Sequence, residues 1–229
     1  MSISVTRNHV LAALVVALLP IHCLAVDDDP LARILEGVRA KYQDITGFHV
    51  PYEREIITRS MALLGDDLKS DLATGRLYFK PPHYLKVQQK SPRNEEVITD
   101  GATIWWYIPQ QKQVHRYPAD QLGQELGVFS DIFQGLKEVE ESFHVTLLER
   151  DKKGVQQLEL HPDPPWSQVD HIKISIDEGD YTIRVVEIYN YVGGITRFTF
   201  AEKMRQQSFA EDFFSFVAPE GVRVIEEGN

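Results

Sequence analysis

Between Glu96 and Ile108 two runs rich in β-branched and aromatic residues flank Asp100-Gly101, and this stretch constrains the fold more than any other. Asp-Gly flanked by two such strand-like runs is a strong short-range signal for a hairpin closed by a two-residue type I′ turn. That turn predicts Val97 opposite Ile104. Because side chains in a strand have a period of two, Ile104, Trp106 and Ile108 then share the face of Val97, while Ile98, Thr103, Trp105 and Tyr107 share the other. The first face is wholly apolar, so it must be covered by something else in the chain or by a ligand.

Strand-like patterns recur along the chain. Phe48, Val50, Tyr52 and Ile56 fall on one parity against His49, Glu53 and Glu55, which predicts a half-buried strand that Pro51 interrupts or confines to an edge. Gly75–Lys80 and His83–Lys90 form two further strands around Pro81-Pro82. Five more are expected near 143–149, 155–161, 172–176, 181–189 and 195–201, separated by turn signals such as Glu178-Gly179-Asp180 and Gly193-Gly194. Met61–Asp71 shows no clear period and reads as a loop or ragged strand. Ser208 and Glu211 have the spacing of a capping box for a short helix, with a last strand around Pro219.

Two segments change to helical spacing. Asp27–Asp29 and Pro30 begin the first, in which Leu31, Ile34, Leu35, Val38 and Tyr42 repeat on one face, and it ends near Gly47. The second carries Leu122, Leu126, Phe129, Phe133 and Leu136. Gly123, Gly127 and Gly135 each weaken a helix by roughly 1 kcal/mol relative to Ala, so this segment is expected to be mobile or broken. The reading is α+β, mainly β: one strongly curved antiparallel sheet whose concave side is partly covered by helices.

The N-terminus reads as an address. One cation, Arg7, precedes the apolar run Val10–Leu19, and Ala25 offers a small residue for cleavage, the layout of a secretory signal peptide over residues 1–25. The apolar core is too short to span a bilayer, for which about 20 residues are needed. Residues 26–229 then form one domain. The only cysteine, Cys23, leaves with the signal, so stability in an oxidising compartment rests on core burial without disulfides. A formal net charge of −10 and no basic stripe argue against a nucleic-acid partner.

No catalytic constellation stands out. Residues 26–229 lack cysteine, and no serine occupies a Gly-x-Ser-x-Gly elbow. His115, His144, His161 and His171 lack the spacing that places two metal ligands together, and neighbouring carboxylates such as Glu95-Glu96 read as solvated faces. Neither a catalytic role, a metal nor a cofactor is assigned.

The hairpin Val97-Ile98-Thr99-Asp100-Gly101, with Thr103–Tyr107, Pro109 and Gln113-Val114 after it, resembles the signature hairpin of the LolA family of periplasmic lipoprotein carriers. Gly75–Val87, Gly47-Phe48 and the ending Phe214-x-Phe216-x-Ala218-Pro219-x-Gly221-Val222 resemble further blocks of that family in the same order. The resemblance implies an incomplete antiparallel β-barrel of about 10–12 strands, with helices as a lid over an apolar cavity. It implies a monomeric carrier that holds lipoprotein acyl chains, receives them from an inner-membrane lipoprotein-releasing ABC transporter and passes them to an outer-membrane, LolB-like or other acceptor. On this resemblance Leu85, Val87 and Val97 face the cavity, turn pairing adds Ile104, Trp106 and Ile108, and Val38, Tyr42, Leu126, Phe129 and Phe133 are lid candidates. Where family members place an Arg that holds the lid closed, this chain has Pro81, which has no side-chain donor. The alternative is a LolA-like periplasmic sensor or accessory module that binds lipid without ferrying lipoproteins.

Overall fold

The computed structural model describes residues 29–64, 71–136, 138–151, 154–201 and 204–227, and for 62–64 and 120–126 only the backbone. The expected signal segment, residues 1–25, lies outside the described residues.

Helix α1 spans Pro30–Tyr42. The Asp29 carboxylate caps it by accepting the Leu31 N–H at 3.0 Å, Pro30 sits where no N–H is needed, and Ile34, Leu35, Val38 and Tyr42 are buried along one face. Strand β1 (Phe48–Ile57) follows, then a short helix, α2 (Arg59–Leu64), which overlaps the start of the stretch expected as a loop or ragged strand; residues 65–70 of that stretch lie outside the described residues. Next come β2 (Asp71–Lys80), β3 (Tyr84–Ser91), β4 (Glu95–Thr99), β5 (Thr103–Ile108) and β6 (Gln113–Pro118). Helix α3 (Ala119–Phe133) and the short α4 (Val139–Ser142) lead into β7 (Phe143–Leu148), β8 (Gln156–Pro162), β9 (Val169–Ile176), β10 (Ile183–Asn190) and β11 (Ile195–Phe200). Two short strands, β12 (Arg205–Gln206) and β13 (Arg223–Glu226), complete the described chain.

All strands belong to one open, curved sheet in the order β13-β6-β5-β4-β3-β2-β1-β11-β10-β9-β8-β7, with β12 added beside β1. Neighbours are antiparallel except β13, which runs parallel to β6. The fold is mainly β with few helices, as the alternation predicts.

Four local readings are corrected. The tip of the β4–β5 hairpin is set by Asp100, whose carboxylate accepts the N–H groups of both Ala102 (2.9 Å) and Thr103 (3.0 Å), while Gly101 takes φ +92°. This side-chain capture moves the turn along the chain, so Val97 pairs with Trp106 and Thr99 with Ile104, instead of Val97 with Ile104. A slip of two residues preserves parity, and the predicted faces survive.

Pro51 neither interrupts β1 nor marks an edge. It lies where the partner of β1 changes from β11, which pairs with Tyr52–Ile57, to β12, which pairs with Phe48 and His49. No ladder donor is required there, and the Pro51 carbonyl accepts the Ala201 N–H at 3.0 Å.

Helix α3 is one unbroken element although Gly123 and Gly127 lie within it, and Gly135 stands beyond its end. Gly135 adopts φ +80°, its N–H bonds to the Ile132 carbonyl and that of Leu136 to Asp131, the paired bonds of a Schellman cap. A residue read as weakening the helix terminates it.

Residues 210–215 form consecutive turns instead of a capped helix, with bonds from Phe213 N–H to the Ala210 carbonyl and from Ser215 N–H to Asp212, and the last strand begins only at Arg223. This segment lays Phe213, Phe214 and Phe216 over Tyr78, Tyr84, Trp105 and Tyr107, with ring centroids 5.2–5.6 Å apart. The aromatic side of the β4–β5 hairpin is thereby partly covered by the chain's own C-terminal segment.

Candidate functional site

The opposite side of the same strands faces the helices. The register aligns Phe79, Leu85, Thr99 and Ile104 in one row across β2–β5, and Leu77, Val87, Val97 and Trp106 in the next, with Ile108 two residues beyond Trp106. All six sheet residues singled out from the sequence lie on this one face. Leu85, Ile104 and Ile108 are buried. Val87, Val97 and Trp106 are half-buried, and β6 extends their rows with Tyr117, His115 and Gln113.

The helices meet this face through aromatic rings. Phe133 of α3 lies 5.0 Å from Phe48, 5.4 Å from Phe200 and 5.7 Å from Phe79, joining β1, β2 and β11 under the helix. Phe129, one turn earlier, meets Phe198 edge-on at 4.9 Å. Val38, Tyr42, Phe129, Phe133 and Leu85 form part of one buried apolar cluster, against which Val87 packs. The side chain of Leu126 lies outside the described residues.

Polar contacts fasten the helices at their ends. The Tyr42 hydroxyl accepts the Ile183 N–H at 3.1 Å, and burial, helped by Asp180, pushes its pKa up to about 12. The Lys41 ammonium pairs with Asp180 at 3.0 Å, and Arg39 with Glu140 at 3.1 Å. Helix α3 is anchored to the hairpin tip by the Ala119 N–H, which donates to the Ala102 carbonyl at 3.1 Å. At its other end the Gln134 amide donates to the Pro82 carbonyl at 3.1 Å.

Two clefts flank α3. One of about 190 Å³ is lined by His83, Thr99, Ile104, Gly127, Ser130 and Asp131, where burial, with Glu138 adding, raises the Asp131 pKa against the pull of His83. The other, about 480 Å³, opens between α1 and the end of α3 and is lined by Arg39, Tyr42, Gln43, Ile45, Pro81 and Gln134. Pro81 therefore sits beside the helix ends, and the donor that reaches the β2–β3 turn is Gln134.

Sequence reasoning missed a polar strip on the concave face. Arg54 shares the parity of Phe48, Val50 and Tyr52, so alternation alone could have placed it there. Glu95, opposite Gln89 on β4, accepts the Trp106 indole N–H at 3.3 Å and pairs with Arg93 at 3.4 Å. His115 bonds to Glu227 at 2.8 Å. Among the described residues no three His, Cys, Asp or Glu side chains are placed to hold a metal ion, and no helix is long and apolar enough to cross a membrane.

Comparison with known proteins agrees with this architecture. Residues 63–217 match the family model described as "Outer membrane lipoprotein carrier protein LolA". An outer-membrane lipoprotein carrier protein of Alkalilimnicola ehrlichii is 25% identical over 212 residues, covering 90% of this chain and 92% of the relative. That of Bordetella avium is 31% identical over 156 residues, covering 66% and 70%. Among solved structures, an uncharacterized conserved protein from Thermus thermophilus is similar in fold, with a TM-score of 0.50 and 12% identity over 87% of this chain and 100% of that one. With the family model matching most of its length and the concave face lying under the helices, this chain belongs to the LolA family.

Proposed function

We propose that this protein is a periplasmic carrier that takes lipoprotein acyl chains onto its concave face and moves them from the inner to the outer membrane. The observation that carries this reading is the run of half-buried apolar side chains, Val87, Val97 and Trp106, beside a wholly buried row on the face the helices cover. Leu85, Val87, Val97, Ile104, Trp106 and Ile108 form the wall, and Val38, Tyr42, Leu126, Phe129 and Phe133 the lid. Each CH₂ taken from water contributes roughly 0.8 kcal/mol, so acyl chains would hold the lid displaced at the expense of its own ring contacts.

Residues 1–25 direct export and 26–229 form the carrier, which works without a cofactor or catalytic step. An inner-membrane releasing transporter loads it and an outer-membrane acceptor unloads it. The test is release of a lipoprotein from inner-membrane vesicles. Phe129→Glu and Trp106→Asp, each folded by circular dichroism, are expected to lower release several-fold; full release by folded variants overturns the reading.

A second reading, a lipid-binding sensor or accessory module, is favoured by Pro81, which brings no donor to the helix ends. Co-purification separates the two: acylated lipoprotein in a one-to-one complex supports the carrier, and free lipid the module.

A further inference from the structure

Arg54 is out of place among its neighbours. It projects from the concave face of β1, with Ala73 of β2 and Phe198 of β11 as its cross-strand partners, and Ala73 is fully buried. Phe198 in turn packs against Phe129 of the lid helix, so the half-buried Arg54 lies on the wall that acyl chains would share. Its Nε is buried and has no hydrogen-bond partner, and among the described residues no carboxylate pairs with it. The other ionisable side chains described on this strip have partners: Glu95 accepts from Trp106 and pairs with Arg93, and His115 bonds to Glu227.

A guanidinium whose Nε is drawn out of water onto an apolar wall without an acceptor is costly, because that donor has lost hydration and gained no hydrogen bond in exchange. A neutral ester carbonyl would occupy a donor and leave the charge unmatched. A carboxylate or phosphate oxygen does both, through charge-assisted hydrogen bonds that the planar fork of Arg is shaped to make.

We infer that Arg54, with Tyr52 two residues earlier on the same face, binds the anionic head of an acyl-chain ligand, the carboxylate of a fatty acid or the phosphate of a phospholipid. Tyr52 is almost fully buried, and burial, with the nearby Glu95 adding, pushes its pKa up to about 12 against the pull of Arg54, so its hydroxyl keeps its proton as a donor to such a head. The inference rests on the reading that the concave face takes acyl chains, and it extends the ligands of that face beyond neutral, ester-linked chains.

Calorimetric titration of the purified protein with palmitate, hexadecyl phosphate and methyl palmitate, each below its critical micelle concentration, tests it. At least one of the two anions is expected to bind ten-fold or more tightly than the ester. Arg54→Met should abolish that preference while leaving methyl palmitate binding intact, and Arg54→Lys, which keeps the charge but loses the fork, should retain part of it. The anion with the larger loss identifies the head group, carboxylate or phosphate. Equal binding of all three by the wild type, or an unchanged preference in a folded Arg54→Met variant, overturns the role of Arg54 and leaves the acyl-chain reading standing. Failure of all three to bind removes both.

Discussion

The Tyr42 hydroxyl accepts the backbone N–H of Ile183 at 3.1 Å, so a phenol from the end of α1 fills the place of a ladder acceptor at the start of β10. Burial holds its pKa at about 12 against an ordinary 10.0. The folded state therefore favours the neutral phenol, and this contribution is complete below pH 10 and lost as pH rises from 10 toward 12. Tyr52 and Tyr189 shift in the same direction. Urea titrations at about pH 8 and about pH 11 should show marked alkaline destabilisation. Tyr42→Phe should cost about 1 kcal/mol near neutral pH, for the lost acceptor, and reduce the alkaline loss.

Gln134 fastens the end of α3 to the β2–β3 turn through the Pro82 carbonyl. Removing that donor with Gln134→Ala should cost roughly 0.5–1.5 kcal/mol, felt mainly by the helix. Hydrogen exchange should show faster exchange in α3 and unchanged protection in β8–β10. Equal acceleration across the whole sheet would mean that the bond supports the fold globally and does not act as a latch.

Two glycines near the same helix should respond with opposite sign. A Cβ at Gly127 would meet nothing within 4 Å, so Gly127→Ala should stabilise by roughly 0.5–1 kcal/mol through helix propensity. A Cβ at Gly135 would lie 3.0 Å from the Arg39 Cα at a positive φ, so Gly135→Ala should destabilise by about 1–2 kcal/mol or more. Thermal melts of the two variants side by side check both signs.

Phe133 touches rings from three strands, and its removal should leave a cavity that the sheet cannot close. Phe133→Ala is expected to cost about 3–5 kcal/mol, measured by urea denaturation. Phe133→Leu should recover a large part of it.

The faces of the hairpin were legible because parity tolerates an error of two residues. Its exact pairing was not, since Asp100 chooses the turn by capturing two N–H groups, and the pattern of apolar residues is blind to that choice. The end of α3 was hidden for a related reason: Gly135 has one meaning inside a helix and another just past its end. The strands β6 and β12 and the helix α2 were missed, and the last strand was placed a few residues early, because their pairing and placement depend on distant partners. Arg54 was readable by alternation, but a scan for apolar stripes passes over the one residue that breaks the stripe.

The position of β1 also bears on how the chain reaches its fold. Its ladder joins β2, the next strand in the chain, to β11, whose Phe200 pairs with Tyr52 across most of the described sequence. The strands on the β2 side can assemble from local contacts, whereas those on the β11 side can be sealed to them only after nearly all of the chain is available. Long-range closure of this kind slows folding, and until it happens β1 presents an open edge able to pair with another molecule. The seam between β1 and β11 is thus where a newly made chain is most exposed to self-association, and where a holding partner would have most effect.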